Sequence, residues 1–173
     1  ALAAVAVGKY FGIPDDFITD AICSYEPANS RSQFKDTGRN QLILDAYNAN
    51  PTSMAAALTN FEHLETERPR LAILGDMLEL GAVSQAEHKG IIELCKKLGL
   101  EDLFVGKEFM RAATGTDVRW GKNSLGADPE PDVRWSTLEL GALGTLKTNP
   151  PMGRLILVKG SRGVKLEEVL AAL

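Results

Sequence analysis

Cysteine and histidine are scarce in this chain, two of each, and their scarcity excludes whole classes of protein. Cys23 and Cys95 stand alone in segments of helical composition, so they form neither a disulfide framework nor a C-x-x-C metal pair. They read as small buried hydrophobes of a reducing compartment. His63 and His88 have no second His or Cys at ligand spacing, which predicts surface or helix-face positions and no metal site. No apolar run approaches the roughly 20 residues of a membrane span. The formal net charge is −4, without the basic face of a general nucleic-acid binder. Three phosphate and nucleophile signatures are also missing. There is no G-x-x-x-x-G-K-[ST] loop, no G-x-G-x-x-G after the first strand, and no nucleophile elbow. By itself the chain therefore carries no complete catalytic apparatus. Its opening, ALAAVAVGKYFG, has no starting Met, basic n-region or cleavage site, and reads as cut from the middle of something longer.

What remains is ordinary for a globular domain. Hydrophobic residues make up 45% of 173, enough for a sizeable core and for one domain, or one domain plus a fragment of another. The most informative stretch is QLILDAYNANPTSMAAAL, residues 41–58. A short apolar run ends in Asp45, and Asn48, Asn50 and Pro51 break it. Thr52 or Ser53 can then cap a helix that the alanines carry onward. The same alternation continues along the chain. Strands are expected at 70–74, 103–105, 118–120, 133–135 and 155–158. Helices are expected at 84–98, 107–114, 138–148 and 165–173, with a loop over 121–132. Such alternation predicts an α/β fold, a Rossmann-like three-layer domain with a mostly parallel sheet. Before it, residues 1–12 and 17–24 read as two helices, the first apolar on nearly every side and expected to be buried. A polar segment and the turn Gly38-Arg39-Asn40 put a boundary within 26–40. Two helices alone cannot bury their apolar faces, so residues 1–30 read as the tail of a preceding domain and 31–173 as the domain proper.

Polar clusters recur where strands should end: Asp45-Tyr47-Asn48-Asn50, Gly75-Asp76 with Glu79, Gly106-Lys107, and Lys159-Ser161-Arg162. In a parallel sheet all four gather on one rim, where ligands of open α/β sheets bind. Lys159 and Arg162, beside Gly160 and Gly163, suit a carboxylate or phosphate. Arg31 lies in the boundary segment, another common ligand position. Each residue also has an ordinary structural explanation: Asp45, Asn48 and Asn50 as turn residues, Asp76 as a loop cap, and Arg111, Arg119 and Arg134 as solvated charges.

The ordered motifs Asp45–Met54, Leu74–Gly81 with Ser84 and Glu87-His88, and Val158–Arg162 resemble those of the Mur ligases. Pro27–Gln33 is similar to the segment by which such ligases enter their C-terminal domain, and residues 1–13 to the helix after an H-N-x-x-N motif in their ATP-binding domain. The resemblance covers nearly the whole chain, although residues 107–150 carry none of its motifs. It implies the C-terminal domain of a three-domain bacterial cytoplasmic enzyme, preceded by two helices of the central ATPase domain. The implied reaction is ATP-dependent amide formation through an acyl phosphate. D-Ala-D-Ala and UDP-MurNAc-tripeptide are the implied substrates, and ATP and Mg2+ the implied cofactors of the full-length parent. Carried over by motif, Arg31, Asp45, Tyr47 and Asn48 are expected at the nucleotide, with Asp45 on the ribose hydroxyls. Asn50, Ser53, Lys159, Ser161 and Arg162 are expected at the dipeptide. Asp76, Glu79 and His88 match the motif without an implied role. The P-loop lysine, the magnesium ligands, the modified lysine and the adenine-contacting asparagine of the family fall upstream of Ala1, so the chain alone is expected to be inactive. A sibling Mur or folylpolyglutamate-type ligase domain and a stand-alone Rossmann-like binding module are the alternatives. Asn48-Ala49-Asn50 speaks against the siblings, several of which have histidine in this loop.

Overall fold

The computed structural model describes residues 2–25, 32–113 and 146–173. Two helices come first, α1 (Leu2–Tyr10) and α2 (Asp15–Cys23). They are followed by β1 (Gln33–Asp36), β2 (Gln41–Asp45), α3 (Pro51–His63), β3 (Arg70–Gly75), α4 (Ser84–Leu98), β4 (Glu101–Val105), α5 (Lys107–Ala113) and β5 (Leu155–Lys159). Three short 3-10 segments, at Gly81–Val83, Arg162–Val164 and Leu166–Ala172, complete the described elements.

The five strands form one sheet in the order β1-β2-β5-β3-β4. β2, β5, β3 and β4 run parallel, and β1 pairs antiparallel with β2. The parallel strands read as near-continuous apolar runs because both of their faces are covered. Alternate residues of each strand feed opposite cores. Ala72, Leu74, Leu155 and Leu157 pack with Met54, Leu58, Phe61, Ile92 and Phe109 on the side of α3, α4 and α5. Leu71, Ile73, Ile156 and Val158 pack on the other side with Leu146, Leu166, Val169 and Leu173. These are the expected three layers.

Four details differ from the expectations. β1 is a strand where only an extended polar segment was foreseen; it gains its partner by pairing along β2. The closing helix is 3-10, Leu166–Ala172, entered through Lys165 in a left-handed conformation. Asn50, and not Thr52 or Ser53, is the N-cap of α3. α1 is largely solvent-facing, with Leu2 88% exposed and only Gly8 buried. Gly8 admits α2 closely, since a methyl group there would lie 2.7 Å from Ile18 Cδ1. The strands expected at 118–120 and 133–135, the 121–132 loop and all but the end of the 138–148 helix lie outside the described residues. Among the described residues, no helix is long and apolar enough to cross a membrane.

Candidate functional site

The C-terminal ends of β2, β5, β3 and β4 bring the predicted polar clusters to one rim of the sheet. Asp45 ends β2 and pairs in register with Lys159, which ends β5; Lys159 in turn lies beside Leu74 of β3. Gly75 and Val105 close β3 and β4 at matching positions. The strand exits approach so closely that a methyl group on Gly160 would sit 2.9 Å from the Gly75 Cα.

Lys159 does not project freely into this rim. Its side chain is 2% exposed, and its ammonium group donates to Asp45 Oδ2 at 2.5 Å and to the Asn48 carbonyl at 3.3 Å. Asp45 keeps 23% of its side chain exposed. Tyr47 is half-exposed, and the Arg162 guanidinium lies 5.6 Å above its ring centre, a cation–π arrangement that aligns two predicted site residues. Asn48 Oδ1 accepts the Ala49 N–H. Asn50 and Ser53 turn towards each other in a capping box, Ser53 N–H to Asn50 Oδ1 at 2.8 Å and Asn50 N–H to Ser53 Oγ at 3.2 Å. The box ties the loop to the first turn of α3 and satisfies both backbone donors. Arg31 lies outside the described residues.

A second network joins three loops behind the rim. The Ser161 N–H donates to the Asp76 carbonyl and the Ser161 hydroxyl accepts the Leu78 N–H, stitching the β5 exit to the β3 exit. The Asp76 carboxylate accepts the N–H groups of Glu108 and Phe109, both at 3.0 Å. Asp76 thus caps α5 from another strand, as a helix N-terminus favours. Glu79, the remaining unassigned motif acid, holds a left-handed conformation at φ 68° in the loop after Asp76.

His88 takes the helix-face alternative and not the surface one: it sits on the buried face of α4, fully shielded from solvent. Its Nε2 accepts the Met77 N–H at 3.0 Å, which makes Nδ1 the protonated nitrogen, donating to the Ser84 carbonyl at 2.7 Å. Its ring packs edge-on against Phe109. The Ser84 hydroxyl donates to Glu108 Oε2 at 2.7 Å, and Arg111 pairs with Glu108 Oε1 at 2.5 Å. The Ser84 hydrogen bond above all, with help from Arg111 and against partial desolvation, holds the Glu108 carboxyl below the usual range. Sequence reading missed Glu108 because the residues it joins lie on different elements. The Ser84–His88 spacing, one helical turn, was the visible half of the signal. Among the described residues, no group of three or more His, Cys, Asp or Glu is arranged to hold a metal ion.

A mostly parallel three-layer sheet whose strand ends gather an acid, cations and amides defines a domain of the open α/β class, in which ligands bind at the strand ends. Residues 30–121 match the family described as "Mur ligase, glutamate ligase domain", and the chain belongs to that family. The UDP-N-acetylmuramoyl-tripeptide--D-alanyl-D-alanine ligase of Bacillus subtilis is 34% identical over 98% of this chain, which corresponds to 36% of that protein. The Escherichia coli ligase of the same description is 34% identical over the whole chain, again 36% of that protein. Among solved structures, MurF from Acinetobacter baumannii superposes with a TM-score of 0.76 at 27% identity, over 98% of this chain and 35% of that one. MurF from Thermotoga maritima in complex with ADP shares the fold, with a TM-score of 0.67 at 18% identity over 97% of this chain and 35% of that one. The chain thus spans little more than a third of the length of the curated relatives it matches.

Proposed function

We propose that this chain is the acceptor domain of an ATP-dependent ligase that joins D-Ala-D-Ala to UDP-MurNAc-tripeptide in bacterial cytoplasmic peptidoglycan synthesis. Residues 1–30 are the two-helix tail of its central ATP-binding domain and residues 31–173 the C-terminal domain. The observation that carries the reading is the convergence of the Asp45–Asn50 and Lys159–Arg162 motifs on one rim, in a chain aligned along nearly its full length with ligases of that description.

In this reading Asp45 accepts the ribose hydroxyls of ATP, Tyr47 and Asn48 border the nucleotide, and Arg31 reaches its phosphates from the domain boundary. Arg162 faces the dipeptide, with Ser161, Asn50 and Ser53 fixing the loops beside it. A guanidinium lying over the Tyr47 ring is partly oriented in advance, so less freedom is lost when it meets a carboxylate. ATP supplies the phosphoryl group that activates the acyl substrate; the magnesium ligands belong to the central domain. This domain contributes positioning and charge, the main levers in phosphoryl and acyl transfer. The apolar groove between α1 and α2, lined by Val7, Ile13, Phe17 and Ile22 among others, packs against the rest of the central domain.

The test is a ligation assay. The full-length enzyme is expected to form UDP-MurNAc-pentapeptide only with ATP, D-Ala-D-Ala and the tripeptide, and this chain alone to form none. A full-length enzyme that prefers a single amino acid over D-Ala-D-Ala would move the reading to a sibling ligase, and ligation by the chain alone would overturn it. Chemical-shift perturbation of the chain by D-Ala-D-Ala, against L-Ala-L-Ala, then reports how much of the acceptor site this domain holds by itself.

A further inference from the structure

The ending of β5 places a cation and an acid together in a way that separates their roles. Asp45 and Lys159 are register partners on neighbouring parallel strands, yet the acid keeps 23% of its side chain exposed while the lysine side chain is 2% exposed. The ammonium group donates to Asp45 Oδ2 and to the Asn48 carbonyl. Asp45 Oδ1 accepts no hydrogen bond among the described residues. One carboxylate oxygen is therefore pinned, and the other is left without a partner among the described residues, on a side chain that keeps 23% of its surface exposed. A buried ammonium with such partners stays only if it is paired, because an isolated charge there carries a large desolvation cost.

We infer that Lys159 is a positioning residue for the nucleotide: it orients the Asp45 carboxylate and the 46–50 loop, and does not itself contact the dipeptide. This rests on the proposed function above, in which Asp45 receives the ribose. The vicinal hydroxyls of a ribonucleotide need an acceptor with a fixed direction. Lys159 fixes that direction by occupying Oδ2, and by holding the Asn48 carbonyl it fixes the loop between the nucleotide and acceptor sides. A dipeptide carboxylate seeking this ammonium would have to displace Asp45, leaving an acid without its partner. The cation three residues beyond the strand, Arg162, meets such a ligand from the Tyr47 ring without that penalty.

The pair itself is testable in this chain. Proton–nitrogen correlation spectra of the lysine ammonium groups are expected to show one hydrogen-bonded group in slow exchange, lost in Asp45→Ala. A Lys159 ammonium group that exchanges like the exposed lysines overturns the inference. Its role is tested in the full-length enzyme with Lys159→Met, Asp45→Asn and the double variant. Lys159→Met is expected to raise the ATP KM by about tenfold or more, the usual effect of losing a hydrogen bond to a charged group, and to leave the D-Ala-D-Ala KM unchanged. The preference for ATP over 2′-deoxy-ATP is expected to collapse in Lys159→Met as in Asp45→Asn. The double variant is expected to be no worse than Asp45→Asn, because the lysine acts through the acid. A rise in the D-Ala-D-Ala KM with the ATP KM unchanged, or full additivity in the double variant, overturns it. A wild-type enzyme without ligation defeats the function itself, a result the ammonium spectra do not depend on.

Discussion

A methyl group at position 106 would collide with the Asp76 carboxyl group, on a residue whose φ of 126° lies where side chains are strained. Gly106 and Asp76 are in effect one device: the glycine clears the space from which the acid caps α5. Gly106→Ala is therefore expected to cost more than about 2 kcal/mol in a urea melt, strain and overpacking acting together. Glu108 gives a prediction with a sign. Its folded pKa lies below the ordinary value of 4.5, so its stabilisation is complete above that value and is lost as pH falls through the lowered one. Urea melts of the wild type and Glu108→Gln should differ at pH 7 and converge at strongly acidic pH; an unchanged gap would refute the Ser84–Glu108 bond as its source. The two thiols should also separate. Cys23 is exposed, against the buried position expected of both cysteines, because α2 buries only Ile18, whereas Cys95 is buried and its pKa is raised, first by desolvation and then by Asp102. A thiol reagent should titrate one group in the native chain and both in denaturant.

At the N-terminus of α3 the capping box makes Asn50 a structural residue whatever it contributes to a ligand. Asn50→Ala should cost about 1 kcal/mol in thermal or urea unfolding, and Asn50→Ser, which can still cap, much less. A loss of dipeptide affinity in Asn50→Ser at unchanged stability would show a direct contact. The elements that sequence made legible are those whose burial is two-sided: LILD of β2, RLAILG of β3 and LILVK of β5 are apolar because helices cover both faces. α4 was legible to the residue, bounded by Ser84 and by Gly99 in a left-handed C-cap. β1 was not, because Gln33-Phe34-Lys35-Asp36 is a short, mostly exposed edge strand that exists through its partner. Leu166–Ala172 has the composition of an α-helix, and the left-handed Lys165 before it opens a tighter 3-10 path that composition does not encode. The site was legible as a set of strand ends. Its pairings were not, since Asp45 and Lys159 are 114 residues apart and nothing local marks which acid meets which cation. The contacts of His88 were hidden for the same reason: one partner is the backbone of a loop, invisible to a search for ligand spacing.

In the molecule as a whole, the described residues of α1 and α2 bury only Gly8 and Ile18, which meet each other, while the sheet has two continuous cores of its own. Removing residues 1–25 should thus leave the sheet domain folded, with little change in the melting temperature followed by circular dichroism; collapse of the transition would show that the helices are integral to it. The other end of the chain is the opposite case. β5 is the last of the described strands to be made and sits in the middle of the sheet, between β2 and β3. On the ribosome, until residues 155–159 leave the exit tunnel, the earlier strands among the described residues can pair only as two separate ribbons, each with an open edge of unpaired backbone facing the gap. Pairing across so long a separation is slow to find. The nascent domain therefore waits for the codons of residues 155–159 as an incomplete sheet, and a stop codon shortly before residue 155 would yield a chain fit for chaperones and proteases, not a shortened domain.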